Sequence, residues 1–121
     1  MKLLTIAVPC YNSQEYMHYS IQTLLAGGEE VEILIINDGS KDDTARIADQ
    51  YAAAYPTIIR AIHQENKGHG GAVNTGMANA TGKYFKVVDS DDWVDVRAYL
   101  KILEQLRRFE KNGEEVDVFI T

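Results

Sequence analysis

Three carboxylates fall within four residues at Asp89-Ser90-Asp91-Asp92. Packed together unpaired they would repel one another, so a positive partner belongs among them. Hard oxygen donors favour Mg²⁺ or Mn²⁺, and Mg²⁺ is usually held by one or two carboxylates together with substrate phosphates. Such an ion would bridge the acidic loop to a diphosphate. The competing reading is a solvated turn whose aspartates cap the following helix. An EF-hand loop does not fit, because Val94 stands where its sixth-position glycine would be.

Three other polar clusters accompany this one: Pro9-Cys10-Tyr11-Asn12, Asn37-Asp38-Gly39-Ser40, and Asn66-Lys67-Gly68-His69-Gly70-Gly71. Asp38 reads either as a carboxylate for a base or ribose edge or as an ordinary turn aspartate in a D-G-S sequence. Lys67 lies in a glycine-rich stretch leading into a helix, where free backbone N–H groups favour an anion. A flexible surface loop is the alternative there. His69 reads as an exposed loop histidine with a phosphate contact as the sharper option. His63, Cys10 and the Tyr51–Tyr55 pair read as structural, and Trp93 either lines a sugar pocket or packs in the core. A strict G-x-G-x-x-G fingerprint and a G-x-x-x-x-G-K-[ST] loop are both missing, as is a nucleophile elbow.

These clusters must be positioned by the elements between them. Short apolar runs at Leu3–Pro9, Val31–Asn37, Thr57–His63, Tyr84–Val88 and Val116–Thr121 predict buried strands. Helices are expected after Asn12 and after Ser40, each residue serving as an N-cap, with Glu15 and Asp43 three residues on and Gly27-Gly28 as the first stop. Two more are expected at about Gly70–Asn79, with Ala72, Val73, Gly76 and Ala80 suited to close packing, and at about Val96–Lys111, with Leu100, Leu103, Leu106 and Arg107 around an amphipathic cylinder. The alternation predicts an α/β fold: a Rossmann-like, mostly parallel sheet with helices on both faces. Right-handed crossovers then bring all four polar clusters to the carboxyl edge, where ligands of open sheets bind.

At 121 residues the chain is one domain at most, and the strand at its end predicts a truncated one. Hydrophobic residues make up 45% and charged residues 25%, which suits a globular domain. The net charge of −6 argues against nucleic acid and anionic membrane surfaces. A lone cysteine, Cys10, cannot form an internal disulfide and points to a reducing, cytoplasmic setting. No apolar run approaches the ~18 residues of a membrane span, and no leader precedes the first strand.

Five blocks, VPCYN (Val8–Asn12), NDGSKDDT (Asn37–Thr44), ENKGHGGAVNTG (Glu65–Gly76), ATGKY (Ala80–Tyr84) and VVDSDDW (Val87–Trp93), stand in the order seen in family 2 glycosyltransferases of the GT-A fold, which the chain resembles. The resemblance implies a bacterial, inverting transferase that moves a sugar from a nucleotide-sugar donor, normally a UDP-sugar, to a cell-surface polysaccharide or a related glycan or lipid-linked acceptor. It implies that residues 1–121 are the donor-binding half, cytoplasmic or at the inner membrane face in the full-length protein. By the same resemblance Pro9 and Tyr11 border the base, Asp38 binds it, and Lys67 matches the N-K-G lysine. Asp91 is the implied direct ligand of Mg²⁺ or Mn²⁺, with Asp89 near ribose or metal. Val73 replaces an arginine common before the Asn74 position. The family's catalytic base is expected beyond Thr121, so no catalytic residue is nominated within the chain.

Other classes fit less well. A sugar-nucleotidyltransferase would open with a glycine-rich phosphate loop after the first strand, which VPCYN lacks. A receiver-like domain would draw its acidic pocket from loops after strands one and three. A noncatalytic nucleotide- or partner-binding module, docking through Val96–Lys111, is the main alternative.

Overall fold

Among the described residues, each predicted apolar run becomes a strand that stops where a polar loop begins. A computed structural model describes residues 2–111. In chain order they form β1 (Leu4–Cys10), α1 (Met17–Leu24), a 3₁₀ segment (Leu25–Glu30), β2 (Val31–Asp38), α2 (Thr44–Ala54), β3 (Ile59–Gln64), α3 (Gly68–Asn79), β4 (Tyr84–Val87) and α4 (Val96–Lys111). The expected strand at Val116–Thr121 lies outside the described residues.

The sheet is parallel throughout the described residues, in the order β3-β2-β1-β4. Strand alternation sends Ile6, Val8, Ile33 and Ile35 to one face, where they pack with Met17 and Ile21 of α1, Ile47 of α2 and Leu103 and Leu106 of α4. Ala7, Leu34 and Ile36 point to the other face and meet Ala72 of α3. Because α3 carries the chain back past β2 and β1, a right-handed crossover must place it on the face opposite α1 and α2. Gly76 lets it lie close: a Cβ there would stand 2.7 Å from the Ala7 Cβ. The strand order reverses between β1 and β4, and such a switch point marks the ligand crevice of open α/β sheets.

Ile33, Leu34, Ile35 and Ile36 are all wholly buried, and each contributes about 1.5–3 kcal/mol by leaving water. The register pairs Cys10 with Asn37 and Asp38 with Gln64, so the ends of β1, β2 and β3 stand level.

Both expected N-caps differ from the structure. Asn12 has a left-handed φ of 48°, and its Oδ1 accepts the Lys41 N–H at 2.8 Å. Ser40 Oγ accepts the Asn12 N–H at 3.0 Å, and it is Asp42 Oδ1 that accepts the Thr44 N–H at the head of α2. The reason is tertiary: with β1 and β2 adjacent, the two loops offer each other partners that a cap would otherwise supply. Helix α1 accordingly begins later than expected, after a turn in which Tyr16 and Met17 donate to the Ser13 carbonyl. It ends at Leu24, and Gly28 (φ 68°) breaks the segment that follows. Helix α3 starts at Gly68, slightly before the expected Gly70. No helix among the described residues is long and apolar enough to cross a membrane.

Candidate functional site

Asp38 closes the central strand and is only 3% exposed, yet it lines an open cleft at the carboxyl edge. Its Oδ1 accepts the Lys67 backbone N–H at 2.7 Å and Gln64 Nε2–H at 3.0 Å, while Oδ2 takes neither bond. Gly39 permits this closeness. It has a φ of 71°, and a Cβ would stand 2.7 Å from the Asn66 nitrogen. Asn66 Nδ2–H also donates to the Asp38 carbonyl at 3.2 Å.

The acidic loop follows β4 directly. One carboxylate oxygen from each of Asp89, Asp91 and Asp92 falls within 4.8 Å of the others. Mg²⁺–oxygen bonds of about 2.0–2.1 Å put neighbouring ligand oxygens about 3 Å apart, so a contraction of at most about 2 Å would bring the three onto one ion. This all-oxygen set fits a hard divalent cation. Asp89 Oδ1 also accepts a hydrogen bond from His69 Nε2–H at 2.7 Å.

Between the two aspartates, Ser90 turns inward and is buried. Its hydroxyl meets the Ser13 hydroxyl at 2.7 Å. The Ser13 N–H donates to Thr44 Oγ1 at 2.8 Å, and the Thr44 hydroxyl donates to Asp42 Oδ1 at 2.6 Å. Burial would raise the Asp42 pKa, but the Thr44 hydroxyl and N–H and the Gln14 N–H outweigh it and hold the carboxyl below its usual range. This chain of bonds fastens the acidic loop to the loops after β1 and β2.

The cleft, about 250 Å³, is lined by Pro9, Tyr11 and Tyr16 from the first loop region, Asp38 from the second, His69 at the start of α3, and Asp89 and Asp91. Its floor includes Cys10, whose thiol burial pushes up to about 12 despite hydrogen bonding with Ser90 and Ser13. That thiol is a wall element, not a nucleophile. Three of the lining residues carry carboxylates and one carries an imidazole, so an anionic ligand would need a cation to approach.

Of the residues singled out by sequence, Pro9, Tyr11, Asp38, Asp89 and Asp91 therefore share one cleft. The Lys67 side chain is not among its lining groups; its stem runs beside Gly71, and its backbone N–H holds Asp38. His63 bridges Asn37 Nδ2–H, at 3.0 Å, and Asp49 Oδ1, at 2.8 Å, a structural role at the strand end. Tyr51 bonds His18 at 2.8 Å. Trp93 belongs to neither the core nor this cleft: it is 63% exposed and meets the Tyr19 ring edge-on at 5.3 Å.

Ser13, Ser90, Tyr16 and the Asp89 contact of His69 were not foreseen. A period-two reading carried past β4 would have turned Ser90 inward like Val88. Nothing local to His69 announces its partner, because that partner lies on another loop.

Comparison with known proteins gives the same outline. The pattern described as glycosyl transferase family 2 matches residues 5–118. The Bacillus subtilis (strain 168) glycosyltransferase EpsJ is 38% identical over 104 residues, 85% of this chain and 30% of that protein. Staphylococcus aureus TarS 1-349, solved in complex with UDP-GlcNAc, superposes with a TM-score of 0.77 at 24% identity, covering 91% of this chain and 32% of that one. The Pyrobaculum calidifontis mannosyltransferase PcManGT, solved with GDP-Man and Mn²⁺, gives 0.72 at 22% identity over 80% of this chain and 30% of its own. At these identities the superpositions establish a shared fold, the GT-A type. The chain thus spans about 30% of the length of EpsJ.

Proposed function

This chain belongs to glycosyl transferase family 2, and from that premise we propose that it is the donor-binding part of a metal-dependent, inverting glycosyltransferase using a UDP-sugar. The observation that carries the reading is that Asp38 and the Asp89/Asp91 pair, remote in sequence, line one cleft at the switch point of the sheet.

In this reading Tyr11 and Pro9 flank the nucleobase, and Asp38, with Oδ1 already engaged, offers Oδ2 to an N–H of the base. Asp91 and Asp89 hold Mg²⁺ or Mn²⁺, with Asp92 completing the oxygen set. Bound there, the ion supplies neutralisation of the charge that develops on the departing diphosphate. Ser90 and Ser13 keep the acidic loop in place through that change, and the Lys67 backbone N–H keeps Asp38 Oδ1 engaged. The relatives solved with UDP-GlcNAc and with GDP-Man and Mn²⁺ support a nucleoside diphosphate sugar and a divalent ion. By the family resemblance, the acceptor is a cell-surface glycan or a lipid-linked saccharide. The carboxylate that deprotonates its hydroxyl within hydrogen-bond reach belongs to a segment beyond Thr121.

Titration calorimetry of UDP tests this. Binding is expected with Mn²⁺ or Mg²⁺ and is lost on adding chelator. Equal binding in both conditions would overturn the metal-bridged reading, and no binding in either would overturn the donor site.

A further inference from the structure

One short turn touches both carboxylate centres of the cleft. The Lys67 N–H donates to Asp38 Oδ1 at 2.7 Å, and His69 Nε2–H, two residues on, donates to Asp89 Oδ1 at 2.7 Å. Gly68, between them, has a φ of 78°, which swings the two donors toward different loops. The turn opens α3, and α3 is seated firmly: Ala72 and Gly76 are buried against the sheet, with no room at Gly76 for a Cβ. His69 therefore stands on the first turn of a packed helix and Lys67 immediately before it, whereas Asp89 stands on a loop.

We propose that His69 is a positioning residue, and that the Lys67–His69 turn is a spacer fixing how far the acidic loop stands from Asp38. This rests on the donor-site reading above and deepens it. With Oδ1 engaged by His69, Asp89 presents its Oδ2 to a cation in one orientation, alongside Asp91 and Asp92. The imidazole has its Nε2 proton committed to the Asp89 carboxylate, so the positioning effect proposed for it is exerted through Asp89. Groups that orient a metal-binding carboxylate typically account for 10–100-fold in metal affinity. The side chain of His69 is 63% exposed, so removing it opens no core cavity.

The test is titration of the full 121-residue chain with Mn²⁺ alone, reading free Mn²⁺ by electron paramagnetic resonance, and then with UDP present. His69→Ala is expected to weaken Mn²⁺ binding about tenfold. His69→Gln, whose amide nitrogen reaches the Nε2 position, restores it to within about threefold, while the shorter His69→Asn does not. Thermal midpoints of all variants stay together. The Gln/Asn contrast carries the test should the alanine variant fold poorly. The inference is overturned if His69→Ala binds Mn²⁺ as the parent does, if Gln rescues no better than Asn, or if the parent binds no Mn²⁺. Should Mn²⁺ behave as expected while UDP does not bind the parent, the donor reading fails and the positioning of Asp89 stands.

Discussion

Strand β2 carries a buried carboxylate at each end, and the two are built in opposite ways. At its amino end Glu32 is saturated. Its Oε1 accepts the Thr5 hydroxyl and the Thr81 N–H, each at 2.9 Å, and Oε2 accepts the Thr81 hydroxyl at 2.9 Å and faces Arg60 Nε at 3.6 Å. Burial pushes the Glu32 pKa up, but the Thr81 and Thr5 donors and the Arg60 charge outweigh it and hold the group below the ordinary range. At the carboxyl end Asp38 has donors on one oxygen and borders an open cleft. The contrast separates a carboxylate that ties elements together from one held ready with spare acceptor capacity. Burial alone does not distinguish them, since Glu32 is 6% and Asp38 3% exposed.

The largest effect expected from breaking this contrast lies on the open side. Asp91→Ala should reduce metal-dependent UDP binding by at least about 100-fold in calorimetry, as loss of a direct ligand exceeds the 10–100-fold of an outer contact. It should leave the thermal midpoint unchanged, because Asp91 is exposed. Next, Glu32→Ala should cost about 2–3 kcal/mol in urea unfolding, since it strands buried donors that had a charged acceptor. UDP affinity of the folded fraction should not change. Asp38→Asn keeps an acceptor for Lys67 but places an amide toward the cleft. It should weaken UDP binding about tenfold, about 1.4 kcal/mol, with little effect on stability.

The smallest effect concerns pH. The folded-state pKa of Glu32 lies below its unfolded value of about 4.3. Its stabilisation is therefore complete above that value and disappears as pH falls through the folded one. The urea midpoints of the parent and Glu32→Gln should differ at pH 6 and converge in strong acid. A gap that persists there would assign Glu32 a role independent of its charge.

The fold was readable where side chains act through periodicity. VEILIIN is apolar on both faces and became the wholly buried β2, and the small residues Ala72 and Gly76 marked the face of α3 on the sheet. Reading failed where a polar group had to choose between a local and a distant partner. Asn12 and Ser40 carry good cap chemistry but are spent on each other's loops. The same holds at the site. Asp38 and the acidic triplet could be named from type and position, while the His69–Asp89 and Ser13–Ser90 contacts depend on which loops the strand order makes neighbours.

The proposed donor site requires one ligand spanning both centres, and backbone amide NMR of the chain with UDP and Mg²⁺ tests this most directly. The predicted result is that resonances of Gly39 and of Ser90 to Asp92 shift together along one titration curve and return when the metal is chelated. Shifts confined to one of the two loops, or unaffected by the chelator, would contradict it.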